Sequence, residues 1–127
     1  MHLYEYSERG IEVLELSGEI DLHYAPVLRA LLNSKASRRC PALLLDLTRV
    51  RFIDSTGLGA ILEYLREAAS FGGRFCIGGA GEQLGCIFEV TNLARVLPIY
   101  RHAADAKHAL AMNQLPPPSQ KLFAAAA

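Results

Sequence analysis

The run Asp54-Ser55-Thr56-Gly57-Leu58-Gly59 places two hydroxyls beside a carboxylate and follows them with two glycines. Apolar residues at helical spacing begin at Leu58, so this run opens a helix. Asp54 or Ser55 is then the N-cap, accepting from a backbone N–H two or three positions on. The first turn of a helix also carries unpaired amides and the positive end of the dipole, which favour an anion. A phosphoserine there carries about −1.5 to −2 charges at neutral pH. The fold would tolerate that charge, whereas a partner docked over the same spot would not. Ser55 is therefore a candidate phosphorylation site, with Thr56 as alternative acceptor. The plainer reading is that Ser55 only caps its helix. Gly57 and Gly59 remove side-chain bulk where another backbone or a partner surface comes close.

Other chemistries fit the residues poorly. A hydrolase nucleophile elbow needs Gly-x-Ser-x-Gly, and Ile53 stands two before Ser55. His2, His23, His102 and His108 fall in terminal, loop or helix-surface positions, away from any base role. The glycines at 78, 79 and 81 lack the third glycine of a dinucleotide fingerprint, and no Gly-Lys-Ser/Thr run supplies a phosphate-loop lysine. They read as a turn after a strand. No His, Cys, Asp and Glu set has metal-ligand spacing. The sequence thus predicts no catalytic residue, metal or cofactor, and a protein that is not an enzyme.

The elements that must position Ser55 follow from the apolar pattern. Residues 2–7 and 11–16 alternate apolar and polar, which predicts two strands joined as a hairpin, the first at an edge. Residues 18–21 break the second strand. Tyr24, Val27, Leu28, Leu31 and Leu32 recur at helical spacing behind Pro26, which suits a helix start. That helix ends in the polar stretch 33–39. Ala42-Leu43-Leu44-Leu45 is a buried central strand, and residues 48–57 form the loop after it. Leu58, Ile61, Leu62, Leu65 and Ala69 make the next helical stripe, closed by Gly72-Gly73. A strand at 74–78, a short helix with Leu84, Ile87 and Phe88 on one face, a last strand at Leu97, Ile99 and Tyr100, and an Ala-rich helix complete the pattern. Interleaved strands and helices make this an α/β layer fold. Residues 1–113 form the domain, and 114–127, opened by three prolines, are expected to be a flexible Pro/Ala-rich tail.

The chain of 127 residues carries 13 Lys plus Arg against 13 Asp plus Glu. That balance gives no electrostatic reason for a nucleic acid or an anionic membrane as partner. Cys40, Cys76 and Cys86 form an odd set without CxxC spacing, as reduced thiols do, and Cys76 lies in a strand as a small core residue. No apolar run is long enough to span a bilayer, and no secretory signal opens the chain. The expected location is the cytoplasm.

The stretch LDLTRVRFIDSTGLGAI resembles the signature of the STAS domain, most closely that of bacterial anti-sigma factor antagonists. GEID at residues 18–21 resembles the family's Gly-x-hydrophobic-Asp ahead of the first helix. TNLARVLPIYRHAADAKHAL resembles its closing segment, although a Ser or Asp is more usual than His102 where the last helix starts. The resemblance covers roughly residues 3 to 112. It implies a mixed sheet of four or five strands, with about four helices packed mainly on one face. It also implies a mechanism: the serine matching Ser55 is phosphorylated by an anti-sigma factor that is itself a serine kinase. The unphosphorylated protein binds that kinase and frees the sigma factor, and a phosphoserine phosphatase resets the cycle. Asp21 matches a family aspartate beside the phosphosite.

The expected partner surface is Asp21, His23 and Tyr24 together with Asp54, Ser55, Thr56, Gly57, Leu58 and Gly59. Tyr24 and Phe88 are each read as a contact aromatic or as core packing. Arg49 and Arg51 are either solvated or tune the docking of the kinase. The expected oligomeric state is a monomer or weak dimer. The rival reading is a STAS subunit of a stress-signalling scaffold or lipid-transport complex that binds without a switch. The full Phe-Ile-Asp-Ser-Thr-Gly run favours the sigma-factor pathway.

Overall fold

A computed structural model describes residues 1–113. Four strands form one sheet in the order β1-β2-β3-β4, with β1 (His2–Glu8), β2 (Ile11–Ile20), β3 (Ala42–Ile53) and β4 (Arg74–Gly78). β1 and β2 are an antiparallel hairpin. Its two-residue turn, Arg9 and Gly10, takes positive φ at both positions, which matches the twist of the flanking strands. The pairs β2–β3 and β3–β4 are parallel. Parallel neighbours need a helical crossover, supplied by α1 (Ala25–Ser37) and α2 (Ser55–Phe71); α3 (Glu82–Val90) and α4 (Ala103–Ala111) follow β4.

The run at 42–45 is the central strand because both of its faces are covered. Leu43, Leu45 and Leu47 belong to the main core with Leu28 and Leu32 of α1, Ile61, Tyr64 and Leu65 of α2, and Leu84 and Phe88 of α3. Ala42 and Leu44 face the other way, onto Ala106, Ala109 and Leu110 of α4, with Cys76 in the same cluster. Three helices therefore pack on one face and α4 alone on the other. The buried side of α2 is Gly57, Ala60, Ile61, Tyr64, Leu65 and Ala68. It is turned from the predicted stripe, so that Leu58, Leu62 and Ala69 are half-buried at its margin. Gly72 closes the helix in the left-handed region, at φ 74°.

Three expectations change, and one open choice is decided. The second strand does not break at Gly18; it runs to Ile20, because pairing with β3 continues through register shifts and Gly18 takes φ 90°. Residues 48–53 are not loop but the second half of β3, paired with residues 17–20. The stretch at Leu97 to Tyr100 makes only an isolated parallel bridge, Ile77 to Ile99, so the sheet has four strands. Of the two readings of Phe88, core packing holds, since the ring is fully buried. The tail assigned to 114–127 lies outside the described residues.

One charged cluster ties β1, β2 and α1 together at the end of the sheet where β2 begins. Lys35, its side chain 3% exposed, meets Glu5 of β1 and lies 2.7 Å from Glu12 of β2, which also takes Arg38 at 3.0 Å. Burial alone would raise the Glu12 carboxyl. The hydrogen bonds of Cys40, Lys35 and Arg38 and the charge of Lys35 outweigh it and hold that carboxyl at about 2. A folded-state value below the unfolded one contributes stability that is full above about pH 4.3 and is lost as pH falls through about 2. After solvent screening the contribution is about 1–2 kcal/mol. Urea unfolding at stepped pH is expected to show that loss in the wild type and a flatter acid limb in Glu12→Gln; equal acid limbs would refute the assignment.

Candidate functional site

β2 and β3 end side by side, with Ile20 paired to Ile53. Each strand then turns into its helix, so two turns emerge at one end of the sheet. In the first, the Asp21 carboxylate accepts from the amides of His23 at 3.0 Å and Tyr24 at 3.2 Å. Its carbonyl accepts from Tyr24 at 3.0 Å and Ala25 at 2.8 Å. A short acidic side chain that bonds its own backbone in this way builds the turn.

In the second turn, Asp54 is the N-cap of α2, and its carboxylate accepts from the amides of Thr56 at 2.9 Å and Gly57 at 3.1 Å. It also accepts the Thr56 hydroxyl. That hydroxyl first, and then the amides of Gly57, Thr56 and Leu22, hold the Asp54 carboxyl below the usual carboxylate range against the opposing effect of burial. The carboxylate is ionised at neutral pH and occupies the amides of Thr56 and Gly57 at the start of the helix.

The two turns are locked to each other. The Asp54 amide donates to the Ile20 carbonyl at 3.1 Å, and the Leu22 amide reaches the Asp54 carboxylate. Gly57 lies flat against Ile20 and Ile53: a Cβ there would stand 2.8 Å from a side-chain carbon of each. Absence of a side chain at 57 is what lets α2 start this close to the first turn. The approach anticipated at Gly57 is thus made by the chain's own Ile20.

Ser55 differs from its neighbours. It is exposed, at the first position of α2, and its hydroxyl makes no hydrogen bond among the described residues. Thr56 is half-buried and its hydroxyl is engaged with Asp54. His23 is exposed and packs edge-on against half-buried Tyr24, ring centroids 4.8 Å apart. Leu58 packs at the margin of the core, and Gly59 is half-exposed beside Arg29. Arg49 and Arg51 are exposed.

Sequence reasoning missed the apolar residues of this end. Leu22 in the first turn is 71% exposed, Val27 in the first turns of α1 is 49% exposed and Phe52 just before Asp54 is 47% exposed. Phe52 falls in the stretch read from sequence as a loop, and in the structure it lies in β3 just after a shift of register, with its side chain exposed. Leu22 was legible as an apolar residue that belongs to neither the strand before it nor the helical stripe after it.

Three open cavities, of about 230 to 320 Å³, lie elsewhere, and none is lined by residues 54–59. Among the described residues no group of three or more His, Cys, Asp or Glu could hold a metal ion. No helix of the described residues is long and apolar enough to cross a membrane.

The family profile of the STAS domain matches residues 6–106. The chain belongs to the STAS domain family. Among its STAS relatives is the anti-sigma-B factor antagonist of Bacillus subtilis, 33% identical over 93 residues, which cover 73% of this chain and 84% of the relative. The anti-sigma F factor antagonist of Paenibacillus polymyxa is 29% identical over 99 residues, 77% of this chain and 85% of the relative. Among solved structures, an anti-sigma factor antagonist from Mycobacterium paratuberculosis superposes with a TM-score of 0.73 at 27% identity, covering 85% of this chain and 92% of that one. The STAS architecture expected from the sequence, a mixed sheet with helices mainly on one face, is the architecture found.

Proposed function

We propose that this STAS domain is an anti-sigma factor antagonist switched at Ser55. In the unphosphorylated state it binds an anti-sigma factor and so frees the sigma factor. That anti-sigma factor is also the kinase: the Ser55 hydroxyl attacks the γ-phosphoryl group of ATP, loses its proton and leaves ADP. Phosphoserine 55 no longer binds, and a phosphoserine phosphatase restores the hydroxyl. The relatives' names support the antagonist role. One observation carries the switch: Ser55 is an exposed, unengaged hydroxyl in the turn after β3, three residues past exposed Phe52, and that turn is tied through Asp54 to the end of β2, next to the turn that bears exposed Leu22. Asp54 does the capping, so Ser55 is not needed to hold the helix. Thr56, bonded to Asp54, is the poorer acceptor.

A phosphate placed at this point disrupts a docked apolar interface by its charge and its desolvation cost. Intact-mass and peptide mass spectrometry on protein from its native cells, with phosphatases inhibited, is expected to find one phosphate, on Ser55. A phosphate confined to Thr56 would move the switch to that residue. No phosphate under any growth condition would overturn the switch and leave a STAS binding partner that does not titrate with signalling state, as in a scaffold or lipid-transport complex.

A further inference from the structure

We infer that Arg29 is the clamp for phosphorylated Ser55, exchanging Glu63 for the phosphate when Ser55 is modified. The inference rests on Ser55 being the acceptor. Ser55, Gly59 and Glu63 follow one another at four-residue spacing, so they share one ridge of α2. Arg29 of α1 lies across this ridge at its middle. Its Nε donates to the Glu63 carboxylate at 2.9 Å, and its Nη2 stands 3.9 Å from where a Cβ of Gly59 would be. Because residue 59 is glycine, no side chain separates the guanidinium from the first turn. Ser55 is one turn above Gly59, about 6 Å along the axis, and Glu63 is one turn below. The phosphate oxygens extend the serine side chain, and the long arginine stem swings between the two anions by rotating its χ angles.

Electrostatics favours the exchange. The Arg29–Glu63 pair is exposed on both sides, at 43% and 42%, and such a pair holds weakly. A phosphate dianion offers a guanidinium more charge and a bidentate geometry. The start of α2 has little to give the phosphate itself, because Asp54 already takes the amides of Thr56 and Gly57 and adds a like charge beside it. Arg51 lines another cavity, with Arg101, His102 and the start of α3. The clamp also removes from the surface a cation otherwise exposed to a partner.

The test installs phosphoserine at position 55 during translation, so no kinase is required. The second ionisation of the phosphate is then followed by ³¹P NMR. The charged groups about it are Asp54 on the α2 cap, Asp21 and His23 in the adjoining turn, and Arg29 and Glu63 on the ridge. A clamp favours the dianion, so the wild type is expected to titrate about half a unit below Arg29→Gln. Arg29→Lys, which keeps the charge without the fork, is expected to fall between. Glu63→Gln, which removes the competitor, is expected at or below the wild type. Equal values in the wild type and Arg29→Gln overturn the clamp, as does a higher value in Glu63→Gln. The outcome is separate from that of the switch. An unclamped phosphate that still abolishes anti-sigma factor binding leaves the switch standing, and a clamped one that leaves binding unchanged refutes the switch alone.

Discussion

Ser55→Asp is expected to weaken binding of the anti-sigma factor about 100-fold, equivalent to about 2.8 kcal/mol, while Ser55→Ala binds as the wild type does. The reasoning separates the two jobs that a residue at a helix start can do. Capping belongs to Asp54, whose carboxylate holds the amides of Thr56 and Gly57. Neither substitution removes that cap, and an exposed position away from buried contacts changes stability by about 0.5 kcal/mol or less. The effect of aspartate therefore falls on the partner. It sets a second carboxylate next to Asp54, in the turn that follows exposed Phe52 and adjoins the turn carrying exposed Leu22. A partner closing over those turns must desolvate the new charge. Titration calorimetry with the purified anti-sigma factor reads the affinities, and thermal melts of the free proteins confirm the fold. An aspartate variant that binds as tightly as wild type would refute the charge mechanism. Raising the salt concentration should recover part of the loss if repulsion contributes to it, because exposed charges are screened within about 10 Å at 0.1 M salt.

Gly57→Val is expected to cost about 3 kcal/mol of folding stability, a fall in Tm of about 10 °C for a domain of this size. Gly57 is buried where α2 begins against the end of β2. A Cβ there meets the side chains of Ile20 and Ile53 at 2.8 Å and the Ile20 carbonyl oxygen at 3.2 Å. Both isoleucines are buried, at 0% and 2% exposure, and have little room to retreat. The Ile20 carbonyl is also the acceptor for the Asp54 amide. Moving it loosens the link between the two turns, so partner binding is expected to fall along with stability. Gly59→Ala is the control: its Cβ meets only the Arg29 guanidinium, at 3.9 Å. Alanine is the better helix former, so this change is expected to be neutral or to stabilise by up to about 1 kcal/mol. Denaturant melts of the two variants separate close packing at 57 from mere helix propensity. Equal stabilities would show that Ile20 does not constrain the start of α2.

Much of the architecture was legible because it is written in short-range patterns. Alternation in residues 2–7 and 11–16 gave the hairpin, and the apolar run at 42–45 gave the central strand; alternation misjudged burial, since β1 is almost wholly exposed and β2 is buried on both faces. The cap could be narrowed to Asp54 or Ser55 from neighbours alone, since a cap bonds amides only two and three positions away, and the structure assigns it to Asp54. What the patterns hid was the reach of the pairing. Residues 17–20 and 48–53 contain glycine, arginines and threonine, and look like turn and loop. They are strand because each supplies the other's hydrogen bonds across a shifted register, and sequence periodicity carries no record of a partner strand. Tyr64 was missed from the core because the buried side of α2 includes Gly57, Ala60, Tyr64 and Ala68 and so lies to one side of the apolar stripe read from the sequence.

The division at the candidate site has the same cause. By itself the sequence determined that Asp54, Ser55, Thr56 and Gly57 open a helix behind a buried strand, that two hydroxyls stand at its start, and that the chain resembles STAS domains. Tertiary structure alone decided that Thr56 is engaged and Ser55 is not, that Leu22 and Phe52 are exposed, and that Arg29 lies over the ridge below Ser55. The Arg29–Glu63 contact joins residues 34 positions apart, and Gly57 rests on a residue of another strand. Capping and periodicity are local and leave their mark in consecutive letters. Contacts between helices and across the ends of strands depend on how the elements pack, and the chain must fold before those neighbours exist.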